Sequence, residues 1–181
     1  MMNMKKIVLL ILLSFFSFSV GQSLNNFPAK NEDFSAFLIN YGTPFQGTIA
    51  NNETIIKVKV EKAVKNPEKQ EQYFISGYSE VKEGNRTKFS GEIIFTQRYN
   101  VKDLPDDMLV FGDFVLKETE SGEHSGVFTG KIRIQSQKVI TKNSRASVTW
   151  KGKWKNYSQT LEYEAWWANF VPTDISKVIF K

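Results

Sequence analysis

The sequence predicts an all-β domain, an eight-stranded antiparallel up-and-down barrel with one short N-terminal helix; a two-sheet β-sandwich is the alternative. Three observations carry this. Apolar and polar residues alternate with period two from Phe45 almost to the end. A small motif, aromatic-x-Gly-x-apolar, recurs along that region. The joins between strand candidates alternate between short and long, as they do when a meander puts odd joins at one end and even joins at the other.

The first residues stand apart from the fold. Lys5 and Lys6 precede an apolar run from Ile7 to Phe18, and Ser19-Val20-Gly21 supplies small residues before Gln22. This is the pattern of a secretory signal over 1–21, too short for a helix of roughly 20 apolar residues that spans a bilayer. Export to the periplasm or outside the cell is the expectation. The chain has no Cys, so the exported domain has to be held by its core alone. Losing the leader removes two lysines and no acid, which takes the net charge from +5 to +3. That balance makes no case for nucleic acid.

Residues 22–43 read as a leader and a short amphipathic helix. Phe34, Phe37, Leu38 and Tyr41 share a helical face, after Asn31-Glu32-Asp33 and before Gly42. A helix this short needs a docking partner.

Residues 44–181 form the barrel domain, with strands expected at about 44–50, 54–63, 72–81, 87–98, 108–118, 126–137, 146–155 and 159–170. The motif runs as Phe45-x-Gly47-x-Ile49, Phe89-x-Gly91-x-Ile93, Phe128-x-Gly130-x-Ile132 and Trp150-x-Gly152-x-Trp154, with Val110-x-Gly112-x-Phe114 a looser copy. An inward Gly lets a strand bend in a coiled sheet. The joins 64–71, 99–107 and 138–145 are long, so the long-loop end is the expected mouth. After the last strand, Thr173-Asp174 starts a turn, and Val178-Ile179-Phe180 packs back or pairs as an edge strand. In the last hairpin, a turn at Asn156 to Gln159 sets Lys153 opposite Glu162, Lys151 opposite Glu164 and Trp154 opposite Leu161.

The alternation also fixes the faces. Lys57, Lys59, Glu61, Lys131, Arg133, Lys151, Lys153, Glu162 and Glu164 fall on one, and Ile56, Val58, Val60, Ile132, Trp150 and Trp154 on the other. A membrane-spanning barrel has the opposite facing, so the chain is not read as membrane-spanning.

Nothing in the sequence signals catalysis or a cofactor. His124 stands alone in a turn-like stretch, too few ligands for a metal, and Asp106-Asp107 read as solvated acids. The domain is read as non-enzymatic, without cofactor or metal. Asn52-Glu53-Thr54, Asn85-Arg86-Thr87 and Asn156-Tyr157-Ser158 match the glycan acceptor pattern, but Asn, Ser and Thr are also ordinary turn residues.

The aromatic inner face is the main functional signal. Tyr73, Trp150, Trp154, Tyr163 and Trp167 are candidate walls for a small apolar or aromatic ligand, since a barrel of eight strands is either filled or holds one small molecule. A second candidate lies outside: Phe74, Tyr78, Ile94, Leu109 and Phe111 form a patch that the helix or a protein partner covers. Binding through this patch or through the long loops of a solid barrel is the alternative function.

The architecture resembles secreted lipocalin-like and avidin-like barrels of the calycin type. Gly47-Thr48-Ile49-x-Asn51 and Phe128-x-Gly130 are similar to avidin strand motifs. The Gly-x-Trp that marks lipocalins near the first strand is absent, and Ile49 stands where an avidin has Trp. The resemblance implies a secreted ligand-binding barrel and carries no binding residue onto this chain.

Overall fold

The computed structural model describes residues 32–50 and 54–170. The expected signal sequence, the expected leader up to residue 31, Asn52 and the expected C-terminal turn and edge strand lie outside those residues. A one-turn helix α1 (Ser35–Ile39) and a 3-10 turn (Asn40–Gly42) precede eight strands: β1 (Phe45–Ile49), β2 (Thr54–Lys65), β3 (Gln72–Glu80), β4 (Arg86–Val101), β5 (Leu104–Glu118), β6 (Gly126–Gln137), β7 (Ala146–Asn156) and β8 (Glu162–Ala168). Each pairs antiparallel with the next, and β1 closes the ring on β8 from Gln46↔Ala168 to Ile49↔Ala165. One closed sheet replaces the sandwich alternative. Among the described residues, no helix is long and apolar enough to cross a membrane.

The alternation works as the burial of an inner face. Val110, Phe114 and Leu116 on β5, Ile132 and Ile134 on β6, and Val148, Trp150 and Trp154 on β7 are buried. Lys131, Arg133, Lys151 and Lys153 point out and are exposed. The recurrent glycines answer to backbone rather than to a ring above them. Gly130 pairs with Gly152. A Cβ on Gly130 would lie 2.3 Å from the Lys151 carbonyl oxygen, and one on Gly152 2.0 Å from that of Thr129. The strands approach too closely here for any side chain.

Three elements differ from the sequence expectation. The helix ends at Ile39, because Asn40 and Tyr41 take left-handed conformations (φ 51° for each) and the Asn40 amide donates to the Thr43 carbonyl at 3.1 Å. Its start is held by the Asp33 carboxylate, which accepts the Ser35 N–H at 2.9 Å and the Ser35 hydroxyl at 2.7 Å.

The expected long loop at 99–107 is instead a hairpin tip of two residues, Lys102 and Asp103. Val101 pairs with Leu104, and Asn100 with Met108. Pro105-Asp106-Asp107, which reads as loop, is the bulged part of β5.

The last hairpin is shifted by two. Lys153 pairs with Glu164, Trp154 with Tyr163, Lys155 with Glu162 and Lys151 with Trp166. The turn is longer than expected because buried Asn156 organises it. Its Oδ1 accepts the Leu161 N–H at 2.9 Å, and its Nδ2 donates to Ser158 Oγ at 2.8 Å and Thr160 Oγ1 at 3.0 Å. An even shift keeps every side chain on its face. Lys153 Nζ still reaches Glu162 at 2.7 Å, now along a diagonal, and Glu164 at 3.6 Å.

The helix closes the long-loop end. Phe34, Phe37 and Leu38 are buried in the core. The Phe34 ring meets Phe95 edge-on at 5.1 Å and Tyr73 at 6.3 Å. The Tyr41 hydroxyl donates to the Ser144 carbonyl, and Asn169 Nδ2 to Asn40 Oδ1 at 3.3 Å. The expected mouth is therefore the closed end, and the helix does not cover the outer patch.

Candidate functional site

The barrel is filled through its middle. Trp150 and Trp167 are fully buried and stack at 5.8 Å. Phe114 packs on both, at 5.0 and 5.6 Å, and Phe128 meets Trp167 edge-on at 5.4 Å. Tyr73 anchors the plug: its oxygen accepts the Phe34 N–H at 3.1 Å, and burial pushes its phenol well above the ordinary tyrosine range. Tyr73, Trp150 and Trp167 are thus core residues, facing one another or the helix.

The space lies at the other end, where the turns are tight. A half-open cavity of about 390 Å³ is lined there by Phe128, Trp154, Tyr163, Ile49, Ser79 and Glu118, with Lys82, Asn85 and His124 from the turns at its mouth. Trp154 and Tyr163 stack almost parallel, 5.8 Å apart with 6° between their planes. Trp154 is buried, while Tyr163 is 37 % exposed and stands at the rim. Of the five inner-face candidates, Trp154 and Tyr163 line this cavity.

Glu118 is the feature that sequence reading passed over. It ends the inward series Val110, Gly112, Phe114, Leu116 on β5, so an acid at that phase was the available signal. It is 5 % exposed. Oε1 accepts from the Ser79 hydroxyl, and Oε2 accepts the Gly126 N–H at 3.0 Å and the Trp154 indole N–H at 2.9 Å. Burial pushes the Glu118 carboxyl above the usual carboxylate range, against the pull of Ser79, Trp154 and Gly126. The Tyr157 hydroxyl donates to the Glu118 carbonyl and pins the end of β5 to the last turn. The site thus combines flat apolar walls with one fixed acceptor group at its floor.

The outer patch is only partly open. Phe74 and Ile94 are exposed, joined by Tyr99 and Leu104 of the β4–β5 hairpin. Tyr78 lies beneath the Arg86 guanidinium at 4.5 Å, Phe111 packs edge-on against Tyr99 at 5.8 Å, and Leu109 is half-buried beside them. Among the described residues, no group of His, Cys, Asp and Glu could hold a metal ion. Asp107 instead accepts from Gln135 Nε2 at 3.2 Å. Asn156 is too enclosed for a glycan, whereas Asn85 is exposed. No protein family, curated protein or solved structure matches this chain.

Proposed function

We propose that this chain is an exported, non-enzymatic binding protein of the calycin-like class, which holds a small apolar or aromatic ligand in the cavity at its tight-turn end. One observation carries the reading. In a barrel otherwise packed ring against ring, a cavity of about 390 Å³ remains, walled by Phe128, Trp154 and Tyr163. That volume lies within the range of small-molecule sites, and mostly apolar walls with few polar groups are their usual lining.

A hydrophobic fluorescent probe should bind the folded protein with a stoichiometry near one and quench Trp154. Tyr163→Ala, at the rim, should weaken that binding without unfolding the chain. A probe that binds equally well to wild type and to a cavity-filling variant such as Ile49→Trp would reject the site. Export rests on the leader alone, and mass spectrometry of the protein from its host should find an N-terminus near Gln22.

The exposed strip of Phe74, Ile94, Tyr99 and Leu104 favours a second reading, a protein-interaction module. Phe74→Lys should then abolish association and leave unfolding unchanged.

A further inference from the structure

Glu118 sets a buried carboxyl group in the lining of the cavity. We infer that the ligand carries a protonated nitrogen on a flat apolar body, with the nitrogen paired to the Glu118 carboxylate and the body against Trp154, Tyr163 and Phe128. The inference rests on the reading of this cavity as the ligand site and names the ligand class.

The argument is one of charge balance. The three groups bound to the carboxylate, the Ser79 hydroxyl, the Gly126 N–H and the Trp154 indole, are all neutral donors. Together they satisfy hydrogen bonds and add no positive charge. Among the described residues, no Lys, Arg or His comes within ion-pair distance of Glu118, although Arg86 pairs with nearby Glu80 at 2.8 Å on the outer face. A buried acid without a counter-charge is costly. A cation entering the cavity supplies that charge where water is partly excluded, so the attraction is stronger than at the surface.

The aromatic walls act in the same sense, because indole and phenol faces attract cations. The cations at the mouth, Lys82 and His124 when protonated, sit in exposed turns, where water screens them. A ligand acid would have to bring its carboxylate to Glu118 or leave it outside beside Lys82.

The test uses the full mature chain and three probes with one ring system: naphthylmethylamine, naphthylmethanol and naphthoate, titrated calorimetrically at neutral pH. The amine should bind about tenfold or more tightly than the alcohol, as one charge-assisted hydrogen bond allows, and naphthoate should bind least. Glu118→Gln should bring amine and alcohol to equal affinity while the alcohol still binds. The variant suits the site: its amide oxygen accepts from Gly126 and Trp154, and its amide nitrogen donates to Ser79. The wild type alone also decides the matter, because the Trp154 indole N–H resonance, assigned through Trp154→Phe, should move with the amine and far less with the alcohol.

Equal binding of amine and alcohol by the wild type overturns the charge selectivity and leaves the cavity reading standing. So does naphthoate binding most tightly, which assigns the charged contact to Lys82. No binding by any of the three overturns both.

Discussion

Trp154 on β7 donates its indole N–H to Glu118 on β5 at 2.9 Å, across a strand that contributes a second donor, Gly126, to the same oxygen. This contact ties three successive strands together at the end of the barrel opposite α1. It also fixes the ring that forms one wall of the cavity, so one side chain serves both the closure of the barrel and the shape of the cavity.

Two substitutions separate the functions of that ring. Trp154→Phe keeps an aromatic wall and removes the donor, which should cost roughly 1.5–3 kcal/mol, the range for a hydrogen bond to a charged group. Trp154→Ala also empties the site and should cost on the order of 3–5 kcal/mol. Tyr163→Ala, from the exposed side of the stacked pair, should cost much less. Urea denaturation of the three variants gives the order. A negligible loss for Trp154→Phe would mean that the indole bond contributes nothing.

Glu118 also gives stability a pH signature. Burial raises its folded value above the unfolded one, so the folded chain binds this proton more readily than the unfolded chain. The associated stability is fully present below the unfolded carboxylate range, near pH 4.3, and is lost as pH rises through the folded value. Glu80 and Glu162, held low by Arg86 and Lys153 respectively, act in the opposite sense. Their stability is present above the unfolded range and lost on acidification. Wild type and Glu118→Gln share those groups, so their difference isolates Glu118. Thermal unfolding of both from pH 4 to 8 should show wild type losing ground to Glu118→Gln as pH rises. A difference that does not change with pH would mean that Glu118 titrates as it does in the unfolded chain.

The register of the last hairpin is testable by cross-linking. Cysteines at 153 and 164, directly opposite, should oxidise readily to a disulfide, whereas cysteines at 151 and 164 should form one slowly, because Lys151 lies opposite Trp166. Mass spectrometry after mild oxidation reads the result, and the reverse order would restore the register expected from charge pairing.

This hairpin shows how much was legible. Facing follows from period two, so the inner and outer sets could be read from residue types alone. Register was not legible, because Lys153 can reach Glu162 from a directly opposed or a diagonal position, and charge pattern does not distinguish them. The deciding contacts belong to Asn156, whose buried side chain templates a longer turn, and nothing in Asn156-Tyr157-Ser158-Gln159 announces that it is buried. The site followed the same division. Trp154 and Tyr163 were visible as inward aromatics. The closed end was not, because the docking of Phe34 on Tyr73 and Phe95 links residues far apart in sequence. Glu118 was visible only as an exception, an acid on an apolar face.

The plug itself carries the last prediction. Phe34 is buried between Phe37, Tyr73 and Phe95, and the helix that it caps is one turn long, too short to hold its shape alone. Its order depends on that ring. Phe34→Ala should therefore cost on the order of 3–5 kcal/mol and loosen the whole segment from Glu32 to Gly42. Hydrogen exchange should show the Leu38 N–H, bonded to the Phe34 carbonyl at 3.0 Å, losing protection well before β5 and β6 do. With the long-loop end opened, a hydrophobic probe should gain a second site on the variant, at Tyr73 and Phe95, without losing the first beside Trp154. Protection at Leu38 that survives the substitution would show that the helix is held by Phe37 and Leu38 instead, with Phe34 only filling space beneath it.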